Sequence, residues 1–214
     1  MTRLNPDKLT RLKHKQVENQ DEINNFLDTQ RFGHLALVDD SGQPVVIPIA
    51  YAHLDGSIVI HGSTGAGALS NLKPTTKVCF NITRINGLVL ARSSFESSVH
   101  YESVNIFGTC TRVENEEKIR LLTRLSERLF PQRTDSLRPM TQKEIAATLV
   151  VKISMDHVVA KRSDGQPTDE GDDINWPVWA GILPIEQHFG APIPAENLDP
   201  QFAELPPYLE NWEV

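Results

Sequence analysis

The sequence Ile58-Val59-Ile60-His61-Gly62-Ser63-Thr64-Gly65-Ala66-Gly67-Ala68 changes character near its centre. Its first residues are β-branched and apolar, as in a buried strand, and the residues after His61 are small or carry hydroxyls. A short helical pattern follows over residues 68–73. A strand that ends in this way exposes backbone N–H groups, adds hydroxyl donors and lets an anion approach closely. Residues 61–67, here named the glycine loop, therefore predict a site for a phosphorylated cofactor.

An ordinary strand-to-helix turn, with Ser63 or Thr64 as the helix N-cap, explains the glycine loop equally well. The loop matches neither the GxGxxG fingerprint nor the Walker motif. A second possible anion contact is Arg92, which closes an apolar strand and precedes Ser93, although a solvent-exposed arginine is the alternative. The residues alone leave both pairs of interpretations open.

Charge and composition exclude several classes of protein. The formal net charge of −7 argues against a nucleic-acid surface, which needs a basic face. No apolar run approaches the roughly 20 residues of a membrane helix, and the N-terminus lacks the apolar core of a secretory signal. Cys79 and Cys110 lie in apolar strand-like runs, which favours buried, reduced thiols. We therefore expect a cytoplasmic protein that does not contact membranes.

The histidines give no metal signature. They are scattered over separate strand-like runs without HxH or HExxH spacing, so no metal site is predicted: His34, His53, His61 and His100. No nucleophile elbow is present, which leaves covalent catalysis by serine or cysteine without support. His61 directly precedes the small residues of the glycine loop and is the best candidate for a catalytic contact.

Many short strands at hairpin spacing, with helices inserted at residues 114–129 and 142–147, favour a small antiparallel barrel in a mainly β protein. Asn86-Gly87 predicts a tight hairpin between two of these strands. The apolar spacing of the longer helix predicts a buried face of Ile119, Leu122, Leu125 and Leu129. We divide the chain into a basic arm (1–18), the barrel (19–162), an acidic loop and tryptophan-containing segment that packs on the barrel or on a dimer partner (163–189), and a proline-rich tail (190–214).

Five segments together resemble the FMN-binding split-barrel superfamily related to pyridoxamine 5'-phosphate oxidase. The resemblance is greatest to its branch of flavin-nucleotide-binding proteins and nitroimidazole-resistance reductases. The matching segments are residues 44–51, His61-Gly62-Ser63-Thr64, the Asn-Gly-Leu-Val-Leu-Ala-Arg-Ser run at 86–93, Tyr101-Glu102-Ser103-Val104-Asn105-Ile106-Phe107-Gly108, and Pro177-Val178-Trp179-Ala180-Gly181.

The resemblance implies a six-stranded split barrel that forms a homodimer, with FMN (alternatively FAD) in a cleft between the subunits. It implies cofactor contacts along one strand, in the glycine loop and on later segments: Val46, Ile47, Pro48, Ile49, His61, Gly62, Ser63, Thr64, Arg92, Ser93 and Ser103. Trp179 would come from the neighbouring subunit or the barrel rim. The expected activity is an FMN-dependent oxidoreductase that passes electrons from a reduced nicotinamide to a small-molecule acceptor.

Two positions depart from the resemblance. Similar proteins carry a cation at about position 67 or 68, where this chain has Gly67-Ala68, so Arg92, Lys73 or a lysine of the arm would have to compensate. They also tend to have arginine where this chain has Glu102. The substrate-binding basic residues of the oxidase are not recognisable, so pyridoxamine phosphate is not the expected substrate. The alternatives are a flavin-binding sensor, carrier or regulator without turnover and, more remotely, a haem-handling split barrel that uses a histidine such as His61 or His100.

Overall fold

Six antiparallel strands close into a ring in the computed structural model of the chain, which describes residues 12–65, 67–70, 72–210 and 212. The ring runs β6–β7–β4–β3–β2–β5 and returns to β6, while β8 and β9 extend it along β6 and β5 and β1 pairs with β8. The strands are β1 (Gln16–Val17), β2 (Phe32–Val38), β3 (Pro44–Leu54), β4 (Ser57–Ser63), β5 (Lys77–Leu90), β6 (Ser98–Val113), β7 (Thr148–Ser154), β8 (His157–Ser163) and β9 (Gly181–Pro184). The predicted six-stranded split barrel is confirmed.

Helices close the barrel and cover one side of it. They are α1 (Gln20–Thr29), α2 (Gly67–Ser70), α3 (Asn115–Leu129), α4 (Gln142–Ala147) and α5 (Pro207–Glu210). The apolar face of α1 joins the barrel interior, where the hydroxyl of Tyr51 donates a hydrogen bond to the carbonyl of Leu27 at 2.9 Å. Helix α3 packs its leucines on the outer side of β3, β4 and β7. Helix α1 therefore closes one end of the barrel core, and α3 covers one of its outer sides.

The buried face predicted for α3 is correct except at its first position. Leu122, Leu125 and Leu129 are buried, but Ile119 is 38% exposed and Leu121, at 1%, takes its place. The apolar stripe of α3 is thus the predicted one from Leu122 onward, and its first turn differs because Leu121 rather than Ile119 packs in the cluster with Val59 and Val150.

The hairpin predicted at Asn86-Gly87 is wrong. Strand β5 continues through these residues from Lys77 to Leu90, and only its register with β6 shifts between Ile85 and Gly87. This irregularity is a β-bulge, which bends a strand without reversing it. The glycine is nevertheless needed, since a Cβ at Gly87 would lie 2.9 Å from the carbonyl oxygen of Leu183 in β9.

One edge of β6 pairs with two different strands. Residues 101–107 pair with β8, and residues 110–113 pair with β7, so the chain crosses over between them. Gly108 lies at this crossover, where a Cβ would lie 1.8 Å from the carbonyl oxygen of Ser154. Strands β7 and β8 therefore follow one another end to end along this edge of β6, and Gly108 lies at the junction between them.

The segments outside the barrel lie at its surface. Apolar side chains of the segment after β8 remain exposed, among them Trp176 at 64% and Trp179 at 66%. The basic arm is described only from residue 12 onward, and its end forms β1 on the edge of β8. Among the described residues, no helix is both long and apolar enough to cross a bilayer.

Candidate functional site

The barrel opens where β3 and β4 diverge. Strand β3 pairs with β2 from Pro44 to Ala50 but with β4 only from Tyr51 to Leu54. The edge of β3 that carries Val46, Ile47, Pro48 and Ile49 therefore has no strand partner on its β4 side within the described chain. Backbone groups on such an edge can hydrogen bond to a planar ligand with a polar rim.

The glycine loop starts at the end of β4 and borders this opening. The backbone N–H and the hydroxyl of Thr64 both donate to the carbonyl of Ala147, at 2.9 and 3.2 Å, which ties the loop to the end of α4. The hydroxyl of Ser63 accepts from the backbone N–H of Gly65 at 3.2 Å. Gly62 is needed for packing, because a Cβ there would lie 2.4 Å from Cδ1 of the buried Leu69. The loop is thus braced from both sides, with Ser63 and Gly65 exposed to a ligand.

His61 is partly buried in apolar surroundings. It pairs with Val150 in β7, and by strand alternation it shares a face with Val59, which packs beneath α3. Its Nδ1 is buried without a hydrogen-bond partner among the described residues. Desolvation lowers the pKa of His61 below its ordinary value, so the ring is neutral near pH 7.

A cleft of about 380 Å³ adjoins the glycine loop. The β2–β3 turn forms one of its walls, and the segment from α2 to β5 forms the other; its lining residues are Leu37, Val38, Asp39, Asp40, Ser41, Val45, Gly67, Leu72, Lys73 and Thr76. Lys73 Nζ lies 2.8 Å from a carboxylate oxygen of Asp40. Both side chains are largely exposed, and an exposed ion pair of this kind is weak enough to rearrange around a ligand.

Arg92 is held by a carboxylate. Its guanidinium Nη1 lies 2.9 Å from Oδ2 of Asp169, and its backbone N–H donates to Oδ1 of the same residue at 2.7 Å. The side chain of Asp169 is only 2% exposed, so this contact fixes the acidic loop against the end of β5. Ser93 begins the next turn and accepts from the backbone N–H of Glu96 at 3.2 Å.

The predicted site residues fall into two groups at opposite ends of β5. The glycine loop, Lys73 and the free edge of β3 lie near its start, whereas Arg92, Ser93 and Trp179 lie near its end, where Leu90 pairs with Gly181. A strand of this length, 14 residues, extends roughly 40 Å at about 3.3 Å per residue. One chain therefore does not bring Arg92 to the same phosphate as the glycine loop.

Ser103 lies between these groups on the outer face of the sheet. It pairs with Thr83 on one side and Lys161 on the other. On the same face Thr83 Oγ1 donates to Asn81 Oδ1 at 3.0 Å, and Asn81 Nδ2 donates to Asn105 Oδ1 at 2.9 Å. The register continues from Asn81 through His34 to Pro48, so Ser103 and β3 belong to one surface.

Sequence reasoning did not identify Asp169, Asp40 or the Asn81–Asn105 pair. Asp169 is one of several carboxylates in a polar loop, and nothing in its spacing distinguishes the one that reaches Arg92. Asn81 and Asn105 could have been found by their position, because each interrupts an apolar strand at alternating spacing.

Glu102 has a structural role in the barrel. Its carboxylate binds Arg84 at 2.5 Å and Arg162 at 3.2 Å, and it accepts from Asn86 Nδ2 at 3.2 Å. These contacts lower the pKa of Glu102 against the opposing effect of its burial. Glu102 therefore joins β5, β6 and β8 through its side-chain contacts.

Comparisons with known proteins agree with this geometry. The FAD and haem binding protein from Mycobacterium smegmatis is 37% identical, with a TM-score of 0.88 over 93% of this chain and 97% of its own. Flavocytochrome Anf3 from Azotobacter vinelandii is 26% identical, with a TM-score of 0.88 over 96% of this chain and 95% of its own. A candidate 5-nitroimidazole antibiotic resistance protein from Bacteroides thetaiotaomicron shares the fold at 19% identity and a TM-score of 0.57, over 70% of this chain and 90% of its own.

A match to a family model assigns the chain to a family. The model of the pyridoxamine 5'-phosphate oxidase family matches residues 19–162, which is most of the chain and includes the complete ring of six strands. No curated protein matches the sequence. Because this match spans more than half of the chain and the 37% identical structure covers 93% of it, the chain belongs to the pyridoxamine 5'-phosphate oxidase family, in its split-barrel superfamily.

Proposed function

We propose that this protein binds a flavin nucleotide in the opening between β3 and β4 and transfers electrons from a reduced nicotinamide to a small acceptor. The free edge of β3 at residues 46–49, bordered by the glycine loop, carries this proposal. The relatives from M. smegmatis and A. vinelandii, described as an FAD and haem binding protein and a flavocytochrome, support a flavin as the ligand. When bound, the flavin supplies hydride and one-electron chemistry, and the protein binds and orients it.

The described residues fit the parts of a flavin. Backbone groups on the free edge of β3, at Val46, Ile47, Pro48 and Ile49, would face the polar rim of the ring system. Ser63 and the N–H groups of the glycine loop would hold the phosphate, with Lys73 as the nearby cation. His61 is neutral because of its desolvation, so it can serve as a hydrogen-bonding group beside the cofactor without adding charge.

We also propose that the active unit is a homodimer, with the cofactor between the subunits. The outer face of β2, β3 and β5 carries exposed apolar side chains beside half-buried asparagines: Phe32 is 71% exposed and Val46 is 63% exposed. An apolar surface of this kind is typical of an interface. A second copy would also bring its own Arg92, Ser93 and Trp179 to a flavin bound at the glycine loop, which one chain does not do.

The direct test has two stages. Protein stripped of cofactor is titrated with FMN and with FAD, and binding is followed by calorimetry and by the shift in melting temperature. The loaded protein is then mixed with NADH or NADPH without oxygen, and flavin bleaching is recorded. Binding followed by bleaching supports the oxidoreductase. Binding without bleaching, across a panel of acceptors, supports a flavin sensor or carrier, and no binding of either flavin contradicts the proposal.

Haem is a second candidate ligand because both relatives that cover nearly the whole chain are flavin and haem proteins. An axial ligand requires an imidazole nitrogen with a free lone pair. In His100, Nε2 lies 2.7 Å from the carbonyl of Gly165 and must carry the proton, which leaves only Nδ1. Titration with haem should give a Soret band that shifts in the variant of the ligating residue, with His34→Ala, His61→Ala and His100→Ala compared. A spectrum unchanged from free haem would exclude this candidate.

A further inference from the structure

We propose that Thr64 is a positioning residue, which binds the last residue of α4 and thereby orients the hydroxyl of Ser63 toward an anionic ligand. This inference rests on the proposed function, because the flavin phosphate is the anion expected at the glycine loop. It gives different roles to two neighbouring hydroxyls that the sequence presents as equivalent donors. The reasons are the hydrogen bonds of the two side chains and the way in which α4 is held.

Both hydrogen-bond donors of Thr64 are used within the protein. Its backbone N–H and its hydroxyl donate to the carbonyl oxygen of Ala147, at 2.9 and 3.2 Å. A hydroxyl has only one proton to donate, and the phosphate of a cofactor needs donors. With these contacts in place Thr64 offers no donor to an anion, so it can act on a ligand only through the loop that it holds.

In Ser63, by contrast, the hydroxyl proton is still available. The Oγ of Ser63 accepts a hydrogen bond from the backbone N–H of Gly65 at 3.2 Å, and its own proton has no acceptor among the described residues. A hydroxyl that accepts one hydrogen bond is polarised and donates a second one more strongly. Because the side chain is also exposed, Ser63 is both oriented and accessible to a phosphate.

Helix α4 supports the glycine loop although none of the residues of this helix is buried. Its first turn is fixed by a capping box between Thr141 and Glu144, and the carboxylate of Glu144 also binds the guanidinium of Arg138. At the other end, the hydroxyl of Thr148 donates to the carbonyl of Glu144 at 2.8 Å. Thr148 begins β7 and pairs with Ser63, so the barrel places the end of α4 directly beside the glycine loop. The helix is therefore held by hydrogen bonds at its ends, and the contact with the glycine loop is one of them.

Loss of the Thr64 hydroxyl should weaken the binding of charged ligands selectively. The carbonyl oxygen of Ala147 carries a partial negative charge, and each hydrogen bond that it accepts reduces its repulsion of a nearby anion. Without the hydroxyl bond this repulsion rises, and the N–H bond alone holds the loop. A neutral ligand of the same opening is not subject to the repulsion and depends less on the loop.

The test compares FMN with riboflavin, which share the ring system and differ in the phosphate. Binding to cofactor-free protein is measured by the quenching of flavin fluorescence, for the wild type and three variants. Thr64→Val should weaken FMN binding by about 3–10-fold and leave riboflavin binding within about twofold, because one hydrogen bond between neutral groups is lost. Thr64→Ser keeps the hydroxyl and should restore FMN binding to within about twofold of the wild type. Thr123→Val is the matched control and should change neither affinity, since it removes an exposed hydroxyl that donates to the carbonyl of Ile119 in α3 at 3.0 Å.

A further variant tests the helix. Thr141→Ala removes the N-cap of α4 and should weaken FMN binding in the same selective way. No effect of Thr141→Ala beside a selective effect of Thr64→Val would overturn the role assigned to α4. Three results would overturn the role of Thr64 while the flavin site stands: equal FMN affinities of wild type and Thr64→Val, equal losses for FMN and riboflavin, or no recovery in Thr64→Ser. If the wild type binds neither flavin, the proposed function fails as well.

Discussion

At the scale of single residues, His61 combines a partly buried ring with a buried Nδ1 that lacks a hydrogen-bond partner among the described residues. Desolvation lowers the pKa of this ring. The unfolded chain, in which His61 has its ordinary pKa of about 6.5, then binds a proton more readily than the folded chain. The free energy of unfolding should therefore rise with pH through this region and be lost as the pH falls through it.

Replacing His61 should remove this part of the pH dependence. We expect His61→Leu to lose less stability than the wild type between about pH 7.5 and about pH 5.5, because no buried group has to accept a proton. Urea denaturation at several pH values measures the difference. His188→Leu, at an exposed histidine, is the control and should keep the wild-type slope. Identical slopes for wild type and His61→Leu would show that His61 titrates normally.

At the scale of elements, two short contacts determine where segments lie. Gly108 allows the end of β7 to approach β6 closely, and Asp169 fixes the acidic loop to the end of β5 through Arg92. Neither contact belongs to a regular hydrogen-bond ladder. Each joins residues more than forty positions apart, so local sequence carries almost no sign of it.

A methyl group at Gly108 should be poorly tolerated. The built Cβ lies 1.8 Å from the carbonyl oxygen of Ser154, a backbone atom that cannot move away alone. We expect Gly108→Ala to lower the free energy of unfolding by about 3 kcal/mol or more. Chemical denaturation followed by circular dichroism measures it, with Gly165→Ala as the control at an open position. A loss below about 1 kcal/mol would mean that the crossover can relax.

Removing the guanidinium of Arg92 should release the acidic loop. Asp169 would remain buried without its cation, which favours loop opening by about 1–3 kcal/mol, or roughly 5–150-fold. Limited proteolysis of Arg92→Ala should therefore cut faster between residues 164 and 175. Arg138→Ala breaks an exposed ion pair with Glu144 and should not change the rate. Equal cleavage rates for Arg92→Ala and wild type would contradict the anchoring role.

At the scale of the whole molecule, the distribution of the site residues requires a second subunit if all of them serve one flavin. Ring closure places the glycine loop and Arg92 at opposite ends of β5, roughly 40 Å apart along a strand of 14 residues. The exposed apolar residues of the outer face offer a surface on which two copies could meet. If the site is shared between two subunits, mixing two inactive variants should restore some binding sites, whereas a site formed within one chain would not be restored.

Mixed dimers should recover binding that neither parent has. Gly65→Asp places a carboxylate in the glycine loop without a steric clash, since its Cβ would lie 3.7 Å from the nearest atom, and Arg92→Gln removes the cation of the other group. Each homodimer should bind flavin weakly. After subunit exchange, half of the dimers combine both variants, and one of their two sites is intact, so about a quarter of all sites should bind. No recovery in a verified mixture would show that both groups act within one chain or not at all.

The sequence by itself determined the local features of this protein. The ending of β4 at the glycine loop, the helix at residues 142–147 and the apolar alternation of the strands depend on neighbouring residues, and each can be predicted from spacing. Strand spacing predicted a small antiparallel barrel, the resemblance to a family implied its six-stranded split type, and the structure confirms both. The error at Asn86-Gly87 has a physical cause, because this pair suits a tight turn in isolation but pairing with β6 and β9 keeps β5 extended.

Only the tertiary structure decided which distant residues meet. The partner of Arg92, the opening between β3 and β4, and the cleft next to Gly67 depend on strand register and on where one strand leaves its neighbour. These features are set by contacts between residues distant in sequence, because the free energy of many weak contacts across the barrel outweighs the conformational propensity of any short segment. The glycine loop can accordingly be recognised in the sequence as a candidate phosphate site, whereas the opening that it borders forms only when the strands of the barrel pair.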